Sequence, residues 1–435
     1  MNGIPPPAGK QSRGIMGYPT EQAEPFSAWN STLPSLEITG TGCSIYIHIP
    51  FCRSRCCFCP FYYGNASKSE KHDYVELLAE ELKQHSPLFR GLIINTVYFG
   101  GGTPSDLEPD EIALLTAILR QNYHLANDCE ITLESRIDGL DGSRIGAALD
   151  GGINRFSLGV QTFDTKMQRS LDRVSDRKTV LDTLRDLTNR NAASITIDLL
   201  YGLPGQTESD LMEDLETILN ETDLSGFSFY RLLTGRRAIL MEKLNSGELP
   251  PIPDENTCES FYKLCEERML AAGARHPSFK HYAFSPRERN LHNELSAWKN
   301  TMIPFGINAS GRLGRYKFRQ TGDLTEYRKM VKAGIKPLGY AGLLPEDFPV
   351  GAAIAGSLNC DLGIEPERIL AKAPETVRGK LRTNLQNELK ALEHEGFFTE
   401  EQYGGRRLTL KGRFRCAAAA ERLMEAAARS WENDR

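Results

Sequence analysis

From about residue 44 to residue 232 the chain alternates short apolar runs with longer amphipathic ones, and nothing else in the sequence limits its fold as strongly. Residues 44–49 alternate like a strand, and residues 70–84 carry apolar positions at helical spacing. Further strand candidates lie at 95–99, 130–133, 155–160, 195–200 and 226–232. Helical stretches separate them, after Pro109 and near 144–149, 178–189 and 210–219. Strands interleaved with helices argue for βαβ units and a parallel sheet. Six such units are too few for a closed eight-stranded barrel, so the expected fold is α/β, an open or partial (βα)6 barrel. In such folds ligands belong at the carboxyl ends of the strands.

The rest of the chain has another character. Residues 1–41 read as an arm: Pro5, Pro6 and Pro7 form a rigid triplet, and no steady periodicity follows, so an extended course is expected. The barrel is assigned to residues 42–240 and a substrate-covering region to 241–340. That region holds a proline-punctuated link at 247–253, a helix over 255–272, a strand over 278–284 and a tight loop marked by Gly306, Gly311 and Gly314. Residues 341–435 form an α+β region: a helix over 377–395, a hairpin over 397–410 turning at Gly404-Gly405, and an Ala-rich helix over 412–429. That order resembles a winged helix.

A chain of 435 residues buries a core without disulfides. Its ten cysteines, with no charged-then-apolar leader before them, place it in a reducing compartment, the cytoplasm, where metal binding or catalysis outranks disulfides. A formal charge of −5 and the lack of a membrane-length apolar run predict neither a nucleic-acid nor a membrane partner. The basic run Arg406, Arg407, Lys411, Arg413 and Arg415 is offset by Glu393, Glu395, Glu400 and Glu401.

The chemistry concentrates in residues 46–59, YIHIPFCRSRCCFC, where Cys52, Cys56 and Cys59 lie in a short loop after a strand. Thiolates are the ligands that iron–sulfur clusters require. A zinc site normally has four protein ligands; three cysteines leave one iron open to a small molecule. Cys57 is out of register and reads as filler. This CxxxCxxC motif, with Phe58 before its last cysteine, is similar to that of the radical S-adenosylmethionine superfamily. The resemblance implies a 4Fe–4S cluster whose open iron is chelated by S-adenosylmethionine, and electron transfer that cleaves the latter to methionine and a deoxyadenosyl radical. Tyr46, His48, Ile49, Pro50 and Phe51 narrow it to the branch resembling the oxygen-independent coproporphyrinogen dehydrogenases.

Gly100-Gly101-Gly102-Thr103-Pro104 follows the next strand. Alone it reads most plainly as a glycine turn. Beside the cluster motif it looks like the family's segment for the amino-acid end of S-adenosylmethionine, with Glu134 as the family's acidic ligand. Gln161, Arg173 and Asp198 are each, alone, ordinary polar residues at strand ends. Their settings, GVQTF, LDR and IDLLYGLPGQT, resemble those at which the branch binds a second S-adenosylmethionine, a site that Phe58 and the Gly102–Thr103 backbone would complete.

CEITLESRID, GGINRFSLGVQTF, HYAFSPRERNLHN and PFGINASGRLGRY resemble the anaerobic haem-degrading methyltransferases, the anaerobilin synthase group, over residues 44–337. The resemblance implies opening of the haem ring without oxygen, iron release, two S-adenosylmethionine molecules with different fates, and a flavodoxin or ferredoxin as electron donor. Phe61 stands where the coproporphyrinogen dehydrogenases have a further cysteine. His292-Asn293 with Trp298 matches part of the HNxxYW motif of the related haem chaperones, which keeps a haem-carrier reading open. His281 reads either as a core histidine or as a residue that ligates haem iron or moves a proton. Arg287, Arg289, Arg312 and Arg315 read either as a solvated charged set or as partners of haem propionates.

Overall fold

The structure, a computed structural model, describes residues 18, 20–33, 42–60, 62–234, 238–400 and 405–432. Pro5–Pro7, Phe61, Glu401 and Gly404 lie outside the described residues. The chain enters its main sheet with β1 (Glu21–Ala23) and then lays down six parallel strands. These are β2 (Cys43–Ile49), β3 (Ile93–Gly101), β4 (His124–Arg136), β5 (Arg155–Gln161), β6 (Ser194–Tyr201) and β7 (Gly226–Arg231). The expected α/β partial barrel is present.

Capped helices cover its outer face. Ser67 and Glu70 form a reciprocal capping box before the helix Lys68–His85, and Thr207 with Asp210 does the same before Glu208–Glu221. Asp141, Asp176 and Asp254 cap three more helices through single backbone bonds. Alternation then decides direction. In β2, Ile45, Ile47 and Ile49 are buried under those helices, while Tyr46 and His48 point to the other face.

The sheet extends beyond the six strands. β8 (Arg275–Ser278), β9 (His281–Ala283), β10 (Thr301–Phe305), β11 (Ser310–Leu313), β12 (Tyr316–Gln320) and β13 (Leu338–Leu343) join it. The order is β1-β13-β12-β11-β10-β2-β3-β4-β5-β6-β7-β9-β8. β10 pairs parallel with β2 and so adds a seventh parallel strand to the six. Its Pro304, which has no N–H for a ladder, falls beyond the single β10–β11 pair, Met302 with Arg312.

Several expectations need correction. The single strand expected over 278–284 is a hairpin, β8 and β9. Gly311 belongs to β11 rather than a loop; a Cβ there would run into the Met302 carbonyl, so the glycine serves close strand approach. Gly306 and Gly314, with φ of +89° and +55°, are the turn positions. In the arm, Glu24 caps a helix, Pro25–Thr32, whose Trp29 packs edge-on against Phe89 and Phe318. The expected extended course fails there because Glu24-Pro25 is a helix start.

The C-terminal region has its own core. The helix Glu375–His394 packs Leu381, Leu385 and Leu389 against Ala419, Ala420 and Leu423 of Cys416–Ala428. β14 (Gly363–Ile364), β16 (Arg406–Leu408) and β15 (Phe398–Glu400) form a small sheet beside them. The Ala-rich helix is two helices, Leu410–Phe414 and Cys416–Ala428, broken at Arg415. Much of the basic run faces acids of this fold: Arg406 meets Glu393, Arg413 meets Glu266 at 2.8 Å and Arg415 meets Glu259 at 3.5 Å. Among the described residues no helix is long and apolar enough to cross a membrane.

Candidate active site

The cysteine loop starts where β2 stops and is tied down by backbone bonds. Cys52 N–H donates to Gly64 O at 3.1 Å. The N–H groups of Gly102 and Thr103 donate to Ile49 O at 2.7 Å and Phe51 O at 2.8 Å. These two N–H groups hold the loop, which leaves the carbonyls of the Gly102–Thr103 backbone for the ligand expected above. A Cβ at Gly102 would meet Phe51 O at 2.5 Å, so only glycine lets the two segments lie this close.

Cys52 and Cys56 are buried and Cys59 is half-buried. Thr103 Oγ1 donates to Cys52 Sγ at 3.2 Å, and Arg173 Nη1 lies 3.6 Å from Cys56 Sγ. Arg136, at the end of β4, grips the loop with Nη1 on Ser54 O and Nη2 on Ser54 Oγ, both 3.0 Å, while Asp138 holds its Nε. Burial pushes the Cys52 thiol up to about 11, and Thr103 and Arg136 pull toward the thiolate. Cys57 turns the other way: it is 3% exposed and packs with Leu171, Leu200, Leu203 and Leu232. Phe58 lies half-buried against that same apolar cluster.

On the interior face, Glu134 sits two residues before the end of β4. It accepts from Tyr98 Oη at 2.7 Å and from Gly101 N–H at 3.0 Å. Burial pushes its carboxyl up to about 7, against those two bonds. Tyr46 Oη is 3.0 Å from His48 Nδ1, and the Tyr46 ring stacks on Tyr98. His292, on the helix Leu291–Ala297, stacks on Tyr98 with centroids 4.2 Å apart. Burial lowers the His292 imidazole to about 3, so it is neutral.

Gln161 closes β5 with φ of +75°. Asp198 lies inside β6 rather than at its end, half-buried and beside Ser228; burial pushes it up to about 6, opposed by Arg155. Arg173 is on no strand. It lies in the turn between the helices Thr165–Ser170 and Arg177–Asn189, where Nε donates to Gln168 Oε1 at 2.9 Å and Nη2 to Gly159 O. Spacing from the strands could not place it, because the turn folds back under the cysteine loop. Arg136 and Tyr98 were missed; both sit at even spacing from named residues, Arg136 from Glu134 and Tyr98 from Gly100, and period two would have found them.

His281 is 1% exposed. Its Nδ1 is 3.0 Å from Ser228 Oγ and its Nε2 2.9 Å from Glu288 Oε1. Glu288 also takes Arg155 through Nε and Nη2. Burial opposes ionisation of Glu288, yet Arg155 and His281 outweigh it and hold the carboxyl well below the usual range. With that depressed value, the pair's stability contribution is complete above about pH 4.3, the unfolded value, and is lost as pH falls through the folded one. Arg155→Met is expected to lower unfolding free energy by about 3–5 kcal/mol, because it strands a buried carboxylate. Urea denaturation at pH 7 checks this; a loss under about 1 kcal/mol would show that the carboxylate is not left uncompensated.

Residues 46–218 match the family model described as the Radical SAM superfamily. The chain is also 30% identical over 287 residues to a haem chaperone (HemW) of Lactococcus lactis, covering 66% of this chain and 74% of that protein. The chain belongs to the radical S-adenosylmethionine superfamily. This radical S-adenosylmethionine protein is 36% identical over 296 residues to an anaerobilin synthase of Escherichia coli O157:H7, covering 68% of this chain. The match spans 66% of that synthase, just under two thirds of its length. Coproporphyrinogen III oxidase (HemN) from Escherichia coli has the same fold, with a TM-score of 0.78 over 92% of this chain and 93% of its own, at 21% identity. The fold is thus that of coproporphyrinogen III oxidase.

The superfamily implies a 4Fe–4S cluster and S-adenosylmethionine. The donor set fits such a cluster. Among the described residues no three Cys, His, Asp or Glu side chains converge on a single-ion position. A cluster asks for something else, one thiolate for each of three irons. An anionic cluster also suits the Thr103 hydroxyl and Arg173 guanidinium that face Cys52 and Cys56.

Proposed function

We propose that this protein is a radical S-adenosylmethionine C-methyltransferase that opens the haem porphyrin ring without oxygen and releases its iron. The observation that carries the reading is the 36% identity to an anaerobilin synthase. The arrangement at the carboxyl ends of the strands supports it. Cys52, Cys56 and Cys59 would hold the cluster, which when bound supplies the electron that cleaves S-adenosylmethionine. Glu134, fixed by Tyr98 and Gly101, would take the amino group of one S-adenosylmethionine. Asp198 would take ribose hydroxyls of a second, with Gln161 and Arg173 binding its other polar groups and Phe58 walling it. Tyr46 and His292 complete an aromatic stack with Tyr98 inside the barrel. A flavodoxin or ferredoxin would be the electron donor.

His281, with both ring nitrogens engaged and only 1% of its surface exposed, is proposed here as a positioning residue. It would hold Ser228 beside Asp198. The experiment is anaerobic incubation of the reconstituted protein with haem, S-adenosylmethionine and a reductant, followed by mass spectrometry. Haem loss coupled to deoxyadenosine and a methylated, ring-opened tetrapyrrole is the expected result. His281→Ala is expected to raise KM for S-adenosylmethionine more than it lowers kcat.

A haem carrier is the second reading, favoured by His292-Asn293 at the start of a helix plugged against the barrel interior. Haem binding without ring opening, under conditions that do cleave S-adenosylmethionine, would select it. Haem left intact, with coproporphyrinogen III supplied in its place losing two propionate carboxyl groups as carbon dioxide, would instead select a coproporphyrinogen dehydrogenase.

A further inference from the structure

Two cavities away from the cysteine loop meet at one lysine. The first, about 170 Å³, lies between the β8–β9 hairpin and the helix Leu291–Ala297, with Tyr230, Lys280 and His281 in its wall. The second, also about 170 Å³, is lined by Lys299, Arg312 and Lys317 together with Met302, Leu344 and Phe348. Ser296 and Lys299 line both. Met302 is level with Ser44 at the beginning of β2, and β2 runs on through Ile49 before the cysteine loop starts. Those five steps span about 16 Å at ~3.3 Å per residue. The second cavity therefore sits toward the opposite end of the sheet from the cluster, and the first leads from it toward the interior. There Ser228, whose Oγ is 3.0 Å from His281 Nδ1, is the cross-strand neighbour of Asp198 and lies two residues before Tyr230 on β7.

The charges in the second cavity are one-sided. Among the described residues that line it there are three cations and no carboxylate. Asp347, buried one residue before Phe348, is not in the wall. The Arg312 guanidinium stacks over the Phe348 ring at 5.2 Å, and its Nη1 reaches Gly314 O at 3.3 Å. Burial lowers Arg312 to about 10; burial and then the neighbouring Arg312, Lys317 and Lys280 lower Lys299 to about 8. Cations gathered in one partly dry wall set up a potential that favours an anion there. Met302, Leu344 and Phe348 in the same lining suit an anion carried on an apolar skeleton.

We propose that Lys299, Arg312 and Lys317 receive the propionate carboxylates of a tetrapyrrole whose ring extends through the first cavity toward Tyr230 and His281. This rests on the haem reading above and names what orients the substrate. A guanidinium fork and two ammonium groups suffice to pair with two carboxylates, with one positive charge to spare. The remaining edge of the ring would then point into the barrel.

Absorbance titrations of the anaerobic, cluster-loaded protein with haem and with haem dimethyl ester test the proposal. The unmodified protein should bind haem at least about tenfold more tightly than the ester, the scale of one charge-assisted contact. Arg312→Gln and Lys299→Gln should each weaken haem binding about tenfold and leave ester binding unchanged, with Arg312→Lys between. Lys317→Gln, at an exposed position, should weaken haem binding several-fold and guards against a folding defect in the other two. Equal affinity for haem and ester, or unchanged haem affinity in all the Gln variants, overturns the site. If the unmodified protein still opens haem in that event, the proposed function survives. If it neither binds nor consumes haem, both fall.

Discussion

Alanine in place of Cys52, Cys56 or Cys59 is expected to abolish deoxyadenosine formation and remove the charge-transfer absorbance of the cluster, while Cys57→Ala keeps most of both. Losing one of three thiolates leaves an iron under-coordinated. Cys57 differs in direction, not in distance along the chain. Its N–H is fixed on Leu171 O at 3.3 Å and its Sγ points to Ser170 O, so the side chain packs into leucines instead of the loop's open side. Burial raises its thiol to about 11, which suits an inert core cysteine. Truncating it removes one small buried group and should cost about 1–2 kcal/mol of stability without touching the cluster. Iron and sulfide analysis together with single-turnover deoxyadenosine yield measures both effects. Greater damage from Cys57→Ala than from Cys59→Ala would overturn the ligand assignment.

The six parallel strands were legible because each is a local signal: an apolar run closed by a turn and followed by a helical stretch. What the sequence hid was non-local. Thr301–Phe305 carries a proline and lies about 250 residues after β2, yet it pairs with β2 through five consecutive registered residues. No pattern within five residues specifies a partner so distant. Glu21–Ala23 is shorter still and is defined only by β13. The candidate site divides the same way. Glu134 and Gln161 were found on or at the end of strands whose period was already read. Arg173 was named through its LDR setting but misplaced, because the turn that carries it has no period and its position comes from tertiary bonds to Gln168 and Gly159. His292 was noticed only as part of a motif, and its stacking on Tyr98 depends on where a helix after β9 docks. His281 was balanced between core and chemistry; its partners Ser228 and Glu288 lie on β7 and in a loop, and strand pattern alone names neither.

S-adenosylmethionine carrying deuterium in its methyl group is expected to yield deoxyadenosine that carries deuterium, during haem turnover by the unmodified protein. The hypothesis rests on two sets of side chains that open on the same side of the sheet. One is the cysteine loop with Gly101 and Glu134; the other is Phe58 with Gln161, Arg173 and Asp198. They are linked physically, since Arg173 reaches Cys56 Sγ from one side and Gly159, two residues before Gln161, from the other. Hydrogen transfer from one molecule's methyl group to the adenosyl carbon of another demands such closeness, because a primary carbon radical reacts with the nearest hydrogen. Asp198→Ala should raise KM for S-adenosylmethionine and lower deuterium transfer and methylated product together, by about tenfold or more, the loss expected for one charge-assisted contact. Some uncoupled cleavage should remain, since Glu134 and the cysteines are intact. Asp198→Asn, which keeps hydrogen bonding without the charge, should fall between the two. Arg173→Ala should be more severe, since it also takes a donor from Cys56, and its cluster content must be measured beside it. Wholly unlabelled deoxyadenosine from the unmodified protein, while haem is being consumed, would sink the two-molecule arrangement and leave Asp198 and Gln161 as interior polar residues of the barrel.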